Sequence, residues 1–356
     1  MVITLFVLSA ILIVISILPF IKNQHWVFRV AEFIKLQLLV VQVAVAAWVF
    51  YFIGAHPELW YVQAPQLALI LYHVYILARY TKFWRISTPR ADKDSASEPL
   101  KIISCNVYQY NTEYDRFIEL IRQEKPDVFL TMESNADWER AMRVLEDDYP
   151  YSEKVTLENT YGMHFYTRLK VMSMSTHFFV ADDLPSIEAE LETPDGVRFV
   201  FFGVHPPPPS PTEEETSKER DGDLLSVAKL VRDYELPVVV TGDFNNVAWA
   251  KSSLLFKKTS RLIDARIGRG ILSTFHAKYW FFRVPLDLLF HSPEVFIDQL
   301  SIYPSVGSDH FPIGCTFRLD LKNLEQESEV DDLEADEHSE VQDLIQEGKE
   351  EVSDER

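Results

Sequence analysis

Between residues 100 and 320 the apolar runs are short, mostly four to six residues, and one after another closes on a carboxylate, an amide or an imidazole. Lys101–Cys105 ends at Asn106, and Val128–Met132 ends at Glu133. Phe199–Val204 ends at His205, and Val238-Val239-Val240-Thr241-Gly242 ends at Asp243. Asp287 sits inside Leu286–Phe290, and Gly307-Ser308-Asp309-His310 leads into Ile313–Phe317. Runs of this length suit strands, because an amphipathic helix needs a longer stripe. Two helical periods lie between them. Thr112–Glu124 gathers Phe117, Leu120 and Ile121 on one face, and Asp223–Tyr234 gathers Leu224, Leu225, Val227, Ala228 and Val231. Each precedes a Pro-flanked strand, so a sheet-rich α+β domain is expected. No repeat of fixed period is visible, which disfavours a solenoid.

A single acid at a strand end is usually a solvated edge residue; the combination is what carries chemistry. Alternate residues of an extended chain face one side, so Asp243 and Asn245 are expected to share a pocket. Asp287 lies among leucines, where a carboxylate is costly unless bonded. His310 follows Asp309 directly, and Asp287 is the natural group to orient it. His205 opens the run Pro206–Pro209 and is either strand punctuation or a second imidazole facing the first. Cys105 and Cys315 sit in expected strands as small buried thiols, with no disulfide framework.

The flanks differ from this domain. Residues 1–21 contain no charge and are long enough to span a bilayer. Residues 36–55 are interrupted only by Gln37 and Gln42, and 64–80 are rich in Leu, Tyr and Ile. The alternative is a soluble helical hairpin, but Ala, Val and Leu cover every face of the second run. Residues 1–86 are therefore read as an anchor of three transmembrane helices and 87–99 as a polar linker, ahead of a domain over 100–320. Lys22, Arg29 and Lys35 in the first loop, and Arg79, Lys82, Arg85 and Arg90 after the third span, lead to the expectation that the domain lies on the cytoplasmic side of the membrane.

Residues 323–356 carry fifteen Asp/Glu against Lys349 and Arg356, so 321–356 are expected to be an acidic, disordered tail. The whole chain has a net charge of −20, and residues 91–322 hold −12 of it. That argues against a sequence-independent grip on long duplex DNA.

In their order, Asn106, Glu133, His205, Asp243-Phe244-Asn245, Asp287 and Ser308-Asp309-His310 resemble the motifs of the endonuclease/exonuclease/phosphatase superfamily. That superfamily includes deoxyribonuclease-I-like nucleases, inositol polyphosphate phosphatases and neutral sphingomyelinases. The layout is similar to its bacterial membrane-anchored members. The resemblance covers residues 100–320 and implies a four-layer α/β/β/α sandwich with the site at one end of two packed mixed sheets.

Position by position, it implies metal ligation by Glu133, with Asn106 beside it and Asp309 as a further acid. It implies His310 as general base oriented by Asp287, and Asp243 and Asn245 positioning the attacking water and phosphoryl oxygens. His205 corresponds to a second catalytic histidine, and Tyr161 and Arg168 to phosphate-contacting groups. Leu288 departs from the pattern, since many relatives carry His there.

The implied cofactor is Mg²⁺, with Mn²⁺ or Ca²⁺ as alternatives. The implied activity is hydrolysis of a phosphodiester by in-line attack of a His-activated water. A phosphomonoesterase and an inactive binding domain are the other readings. The substrate stays open between a nucleic acid and a phospholipid or inositol phosphate, and protein partners are unknown. Lys251, Lys257, Lys258, Arg261, Arg266 and Arg269, near Phe256, Tyr279, Trp280 and Phe281, form either a polynucleotide groove or a solvated helix and loop. Trp280-Phe281-Phe282 and Trp249 either face a bilayer or fill the core.

Overall fold

A computed structural model describes residues 1–85, 88–92 and 95–351. Residues 86, 87, 93 and 94, at the expected anchor and linker, and 352–356 of the expected tail lie outside the described residues. Helices α1 (Val2–Ile17), α2 (Trp26–Phe33), α3 (Lys35–Phe52) and α4 (Trp60–Ala78) come first. There follow β1 (Leu100–Asn106), α5 (Tyr114–Glu124), β2 (Val128–Met132), α6 (Ala136–Met142), β3 (Tyr151–Val155), β4 (Met163–Thr167) and β5 (Lys170–His177). Next are β6 (Ser186–Glu192), β7 (Arg198–Val204), α7 (Lys218–Arg232), β8 (Val238–Asp243), α8 (Lys251–Ser260) and β9 (Ile263–Asp264). The chain closes with β10 (Asp287–His291), β11 (Val295–Ile302), β12 (Ile313–Leu319) and α9 (Ala335–Glu350).

The strands form two six-stranded mixed sheets, ordered β11-β12-β1-β2-β4-β3 and β5-β6-β7-β8-β10-β9. Each has one parallel central pair, β1 with β2 and β7 with β8, joined through α5 and α7 respectively. A parallel pair needs such a crossover, and the helix it carries covers the outer face. Ile102, Leu130, Phe165, Phe201, Val239, Leu289 and Phe317 fill the space between the sheets. Phe117, Ile121 and Trp138 cover the outer face of the first sheet, and Leu224, Val227 and Phe256 that of the second. The result is the α/β/β/α sandwich that the motif order implies.

Three helical stretches are long and apolar enough to cross a membrane: Val2–Phe20, Lys35–Phe52 and Pro57–Ala78. The third begins earlier than the expected 64, because a 3₁₀ turn at Pro57–Leu59 runs into α4 and Pro65 lies within the helix. The first loop contains a short helix, α2, that periodicity alone does not reveal. The expected linker is tied down at both ends of its described part: Asp92 N–H and Ser95 Oγ donate to Asp320, and Ser97 N–H donates to Leu319 O.

The tail differs most from expectation. Like charges favour disorder only while they face one another, and here they face cations. Lys257 meets Asp331 at 2.7 Å, Lys258 meets Glu337 at 2.7 Å and Arg261 meets Asp332 at 3.2 Å. Lys251 pairs with Glu340. Val341 and Ile345, the apolar stripe of α9, pack on Leu225 and Leu255. Gly348 lets α9 lie against the first turns of α7, since a Cβ there would stand 2.7 Å from Lys218 O and 2.9 Å from Gly222 Cα.

Gly348→Val should therefore lower the thermal midpoint, with overpacking costing about 1–3 kcal/mol. His291 gives a pH-dependent counterpart. It is buried in β10 with Nε2 unpartnered, and burial lowers its pKa to about 3. The unfolded chain takes up that proton near pH 6.5, so the contribution is present above this value and is lost as pH falls toward about 3. A His291→Leu variant should show a shallower fall of melting temperature between pH 6.5 and 4 than the natural chain.

Candidate active site

Strand register brings the polar ends together. Asn106 pairs with Met132 across β1 and β2, so Asn106 and Glu133 leave the first sheet side by side. Val204 pairs with Gly242 across β7 and β8, which sets His205 beside Asp243. Asp287 on β10 is the direct partner of Asp243 in an antiparallel pair. The parallel pairs thus point their C-terminal ends to the same edge of the sandwich, where the loop before β12 supplies Ser308, Asp309 and His310.

Backbone geometry sharpens the turn at that edge. Glu133 has φ 57° and Asn245 has φ 46°, left-handed conformations that side chains other than Gly rarely adopt. Strain of this kind clusters where side chains must be aimed. Gly242 is needed for another reason: its φ is 150°, and a Cβ would lie 2.0 Å from Val204 O.

The side chains form one bonded chain. His310 Nδ1 is 2.8 Å from Asp287 Oδ2, and His310 Nε2 is 3.4 Å from Asp243 Oδ2. Asn106 Nδ2 bridges the halves, donating to Glu133 Oε1 at 2.8 Å and to Asp243 Oδ2 at 3.1 Å. Gln109 N–H donates to Glu133 Oε2 at 3.1 Å, and Asn245 N–H to Asp243 Oδ1 at 2.9 Å. The Asn245 side chain donates instead to Pro206 O at 2.9 Å, which braces the loop after His205. His205 Nε2 lies 3.9 Å from Asp243 Oδ2, and the Tyr161 ring is 5.6 Å from its own. Asp309 stands beside Ser308, whose Oγ donates to Asn106 O at 2.7 Å.

Electrostatics separates the two imidazoles. Burial lowers His205 to about 4, so it is neutral. Burial would lower His310 too, but the charges of Asp243 and Asp287, the Asp287 hydrogen bond and Asp309 together push it up to about 10. Glu133 rises to about 7, chiefly through burial. Asp243 also rises, from burial and the neighbouring Asp287. Among the described residues, Asp243 and Asp287 make their ion pairs with His205 and His310 alone.

Nine of the ten expected site residues lie at this edge, and Arg168 does not. Tyr161 and Arg168 flank opposite ends of β4, and Arg168 pairs through two nitrogens with Asp127, at 2.9 and 2.8 Å. Their closeness in sequence is a strand length in space. Tyr161 donates to Glu213 Oε2 at 2.9 Å. Sequence reasoning missed the groups that aim the others. Thr274 Oγ1 accepts from Asp287 N–H at 3.2 Å, and the Phe275 ring lies 4.9 Å from the His310 ring. Both belong to an irregular segment with no period or motif to mark them.

The donors suit a hard cation. Carboxylates dominate, Asp287 Oδ1 is buried with no partner, and Asp243, Asp287 and His310 offer ligand atoms all within 4.8 Å of one another. Two carboxylates and an imidazole at this spacing are a donor set that can hold a divalent cation. This compact set is distinct from the expected ligands Glu133, Asn106 and Asp309. A cation on it would compete with His310 for the role of base.

Comparisons with known proteins agree with this geometry. The model of the endonuclease/exonuclease/phosphatase family matches residues 103–310, and the chain belongs to that family. No curated protein matches the chain. Among solved structures, D. rerio TDP2, complexed with single strand DNA product, is 18% identical with a TM-score of 0.53, covering 62% of this chain and 99% of its own. An endonuclease/exonuclease/phosphatase from Bacteroides vulgatus is 19% identical with a TM-score of 0.52, covering 63% and 100%. The human Nocturnin catalytic domain with bound sulfate anion is 17% identical with a TM-score of 0.50, covering 62% and 94%. The family hydrolyses phosphate esters with a divalent metal, and this chain is an enzyme of that kind.

Placement divides the expected site residues experimentally. Arg168→Gln should lower stability and leave kcat within about two-fold, because its pair with Asp127 is structural. Asp287→Asn should lower kcat about a hundred-fold or more with little change in melting temperature, as loss of an oriented base does. Thermal scans beside steady-state kinetics check both.

Proposed function

We propose that this member of the endonuclease/exonuclease/phosphatase family is a membrane-anchored phosphodiesterase whose domain over residues 100–320 activates water through His310. The supporting observation is the 2.8 Å bond from His310 Nδ1 to Asp287, which fixes the ring and leaves Nε2 facing the pocket. Asp287 holds the tautomer with the proton on Nδ1, so Nε2 is the atom that takes a proton from water. Asp243, fixed by Asn245 N–H, accepts from that water and sets its line of attack. Neutral His205 stands opposite, where its one N–H can donate a hydrogen bond to a phosphoryl oxygen, and it shapes the pocket wall with Tyr161. Gln109 N–H and Asn106 hold the Glu133 carboxylate facing inward.

A divalent ion held by Glu133, with Asn106 and Asp309 beside it, would neutralise phosphate charge, stabilise the leaving oxygen and relieve the carboxylate excess that keeps His310 protonated. Mg²⁺ is the ion the oxygen donors favour. The acids that the ion would not engage favour a diester over a monoester, because a dianion meets more repulsion than a monoanion in a low-dielectric pocket. We read the domain as cytoplasmic from the positive-inside bias of Lys22 and Arg29 in the first loop and Lys35 at the start of the second span.

The full chain should hydrolyse bis(4-nitrophenyl) phosphate with Mg²⁺, faster than 4-nitrophenyl phosphate. Chelation with EDTA should abolish turnover and Mg²⁺ should restore it. His310→Ala should lose at least about a hundred-fold in kcat. Undiminished turnover in that variant would sink the assigned mechanism.

A further inference from the structure

The aromatic run Tyr279–Phe282, between β9 and β10, lies outside the core. Trp280 is 78% exposed, Phe281 53% and Phe282 55%, in a 3₁₀ turn over Trp280–Phe282. Four consecutive exposed aromatics, counting Tyr279, are unusual on a surface that meets only water, since each withholds large apolar area from burial. Lys278 and Arg283 bracket them. Aromatic rings between cations match the chemistry of the headgroup layer, where rings take the apolar boundary and cations meet lipid phosphates.

Two contacts fix where this loop stands. Gln37 Nε2, in the first turn of the membrane-length helix α3, donates to Phe281 O at 3.3 Å and to Arg283 O at 3.1 Å. The turn therefore sits level with the end of a candidate span. At its other side, Ala277 N–H donates to Asp309 O at 2.6 Å, and Lys278 Nζ lies 6.0 Å from the Tyr108 ring. The same short segment touches the helix end and the rim of the catalytic pocket.

The surface a polynucleotide would need is meanwhile occupied. Lys251, Lys257, Lys258 and Arg261 are paired with acids of the tail. Arg266 and Arg269 donate to backbone carbonyls. Trp249 and Phe256 are buried. Along Lys251–Arg269 the cations are engaged and Trp249 and Phe256 are inside, so that stretch does not offer the free cations and stacking surfaces that single-stranded nucleic acid binding requires together, and the exposed rings with cations beside them are those of the Tyr279–Phe282 turn.

We infer that the Tyr279–Phe282 turn enters the headgroup layer of the membrane that holds the anchor, and that the substrate is the phosphodiester of a phosphoglycerolipid in that bilayer. This rests on the phosphodiesterase reading of the same pocket. Hydrolysis adds water across one P–O bond of the headgroup: the attacking oxygen ends on phosphorus and the leaving oxygen takes the proton.

Two measurements on the full chain in phosphatidylcholine vesicles carrying phosphatidylglycerol test it. Because Cys105 and Cys315 are buried, Trp280→Cys can be labelled selectively with a bimane fluorophore. Quenching by spin-labelled lipid should be strong at that position and weak at Tyr151→Cys, a control on an outer strand. Equal, weak quenching at both positions overturns the inference whatever the activity.

The second measurement compares release of lipid headgroups with turnover of bis(4-nitrophenyl) phosphate and of a single-stranded oligonucleotide. Headgroup release that depends on His310 is expected, and Trp280→Ser with Phe281→Ser should lower the ratio of lipid to soluble turnover about ten-fold. Hydrolysis of the soluble diester with no lipid turnover, preference for the oligonucleotide, or an unchanged ratio overturns the lipid assignment while leaving the phosphodiesterase reading intact. Loss of all turnover, the soluble diester included, is failure of the underlying reading and takes the substrate assignment with it.

Discussion

Asp243 and Asp287 face each other across β8 and β10 with one imidazole between them, and much of the domain serves to make that tolerable. Two carboxylates at this separation repel strongly once water is gone. The structure offsets the repulsion with the His310 proton, the Asn106 amide and the Asn245 N–H. Each of these donors needs its own support. Asn106 is fixed by donating to Glu133 as well, and the Ser308 hydroxyl ties its backbone carbonyl to the loop bearing His310. The two sheets are thereby coupled through the site, so a change in either half moves the other.

That dependence explains what the sequence could and could not convey. The strand ends are legible because burying a carboxylate or amide at the close of an apolar run has a cost that only a partner repays, and the cost is visible in the pattern. Asp287 among leucines is the clearest case, and its bond to His310 is the one expected. Thr274 and Phe275 were illegible because they act through a loop with no period. Arg168 misled because sequence closeness along a strand says nothing about which end of it is functional. Periodicity was silent on α2 as well, whose eight residues are too few for a helical stripe to stand out.

The tail shows a different limit. Fifteen acids in a short segment read as self-repelling, and composition alone contains nothing against that. What decides it is the cations of α7 and α8, far away in sequence, which α9 meets once the second sheet has folded. In the sequence the basic cluster and the acidic tail are separate features, one compatible with a groove and one with a solvated end. They are two sides of one interface, and pairing them removes both of those readings together.

The N-terminal helices have the same character. Leu77 and Tyr80, at the end of α4, share a core with Val240 and Trp249 of the domain, and Trp249 Nε1 donates to Glu32 O at 2.7 Å. A flexible tether would let the pocket face any direction and would leave substrate choice to diffusion. Docked helices instead fix the height and tilt of the pocket relative to their own ends. To swing away, the domain would have to expose that shared apolar surface, at roughly 25 cal/mol per Å². On the proposed membrane placement, orientation toward the bilayer would then be a property of the folded core rather than of the linker, and the exposed aromatic turn beside the pocket would be held at a fixed height by the same contacts.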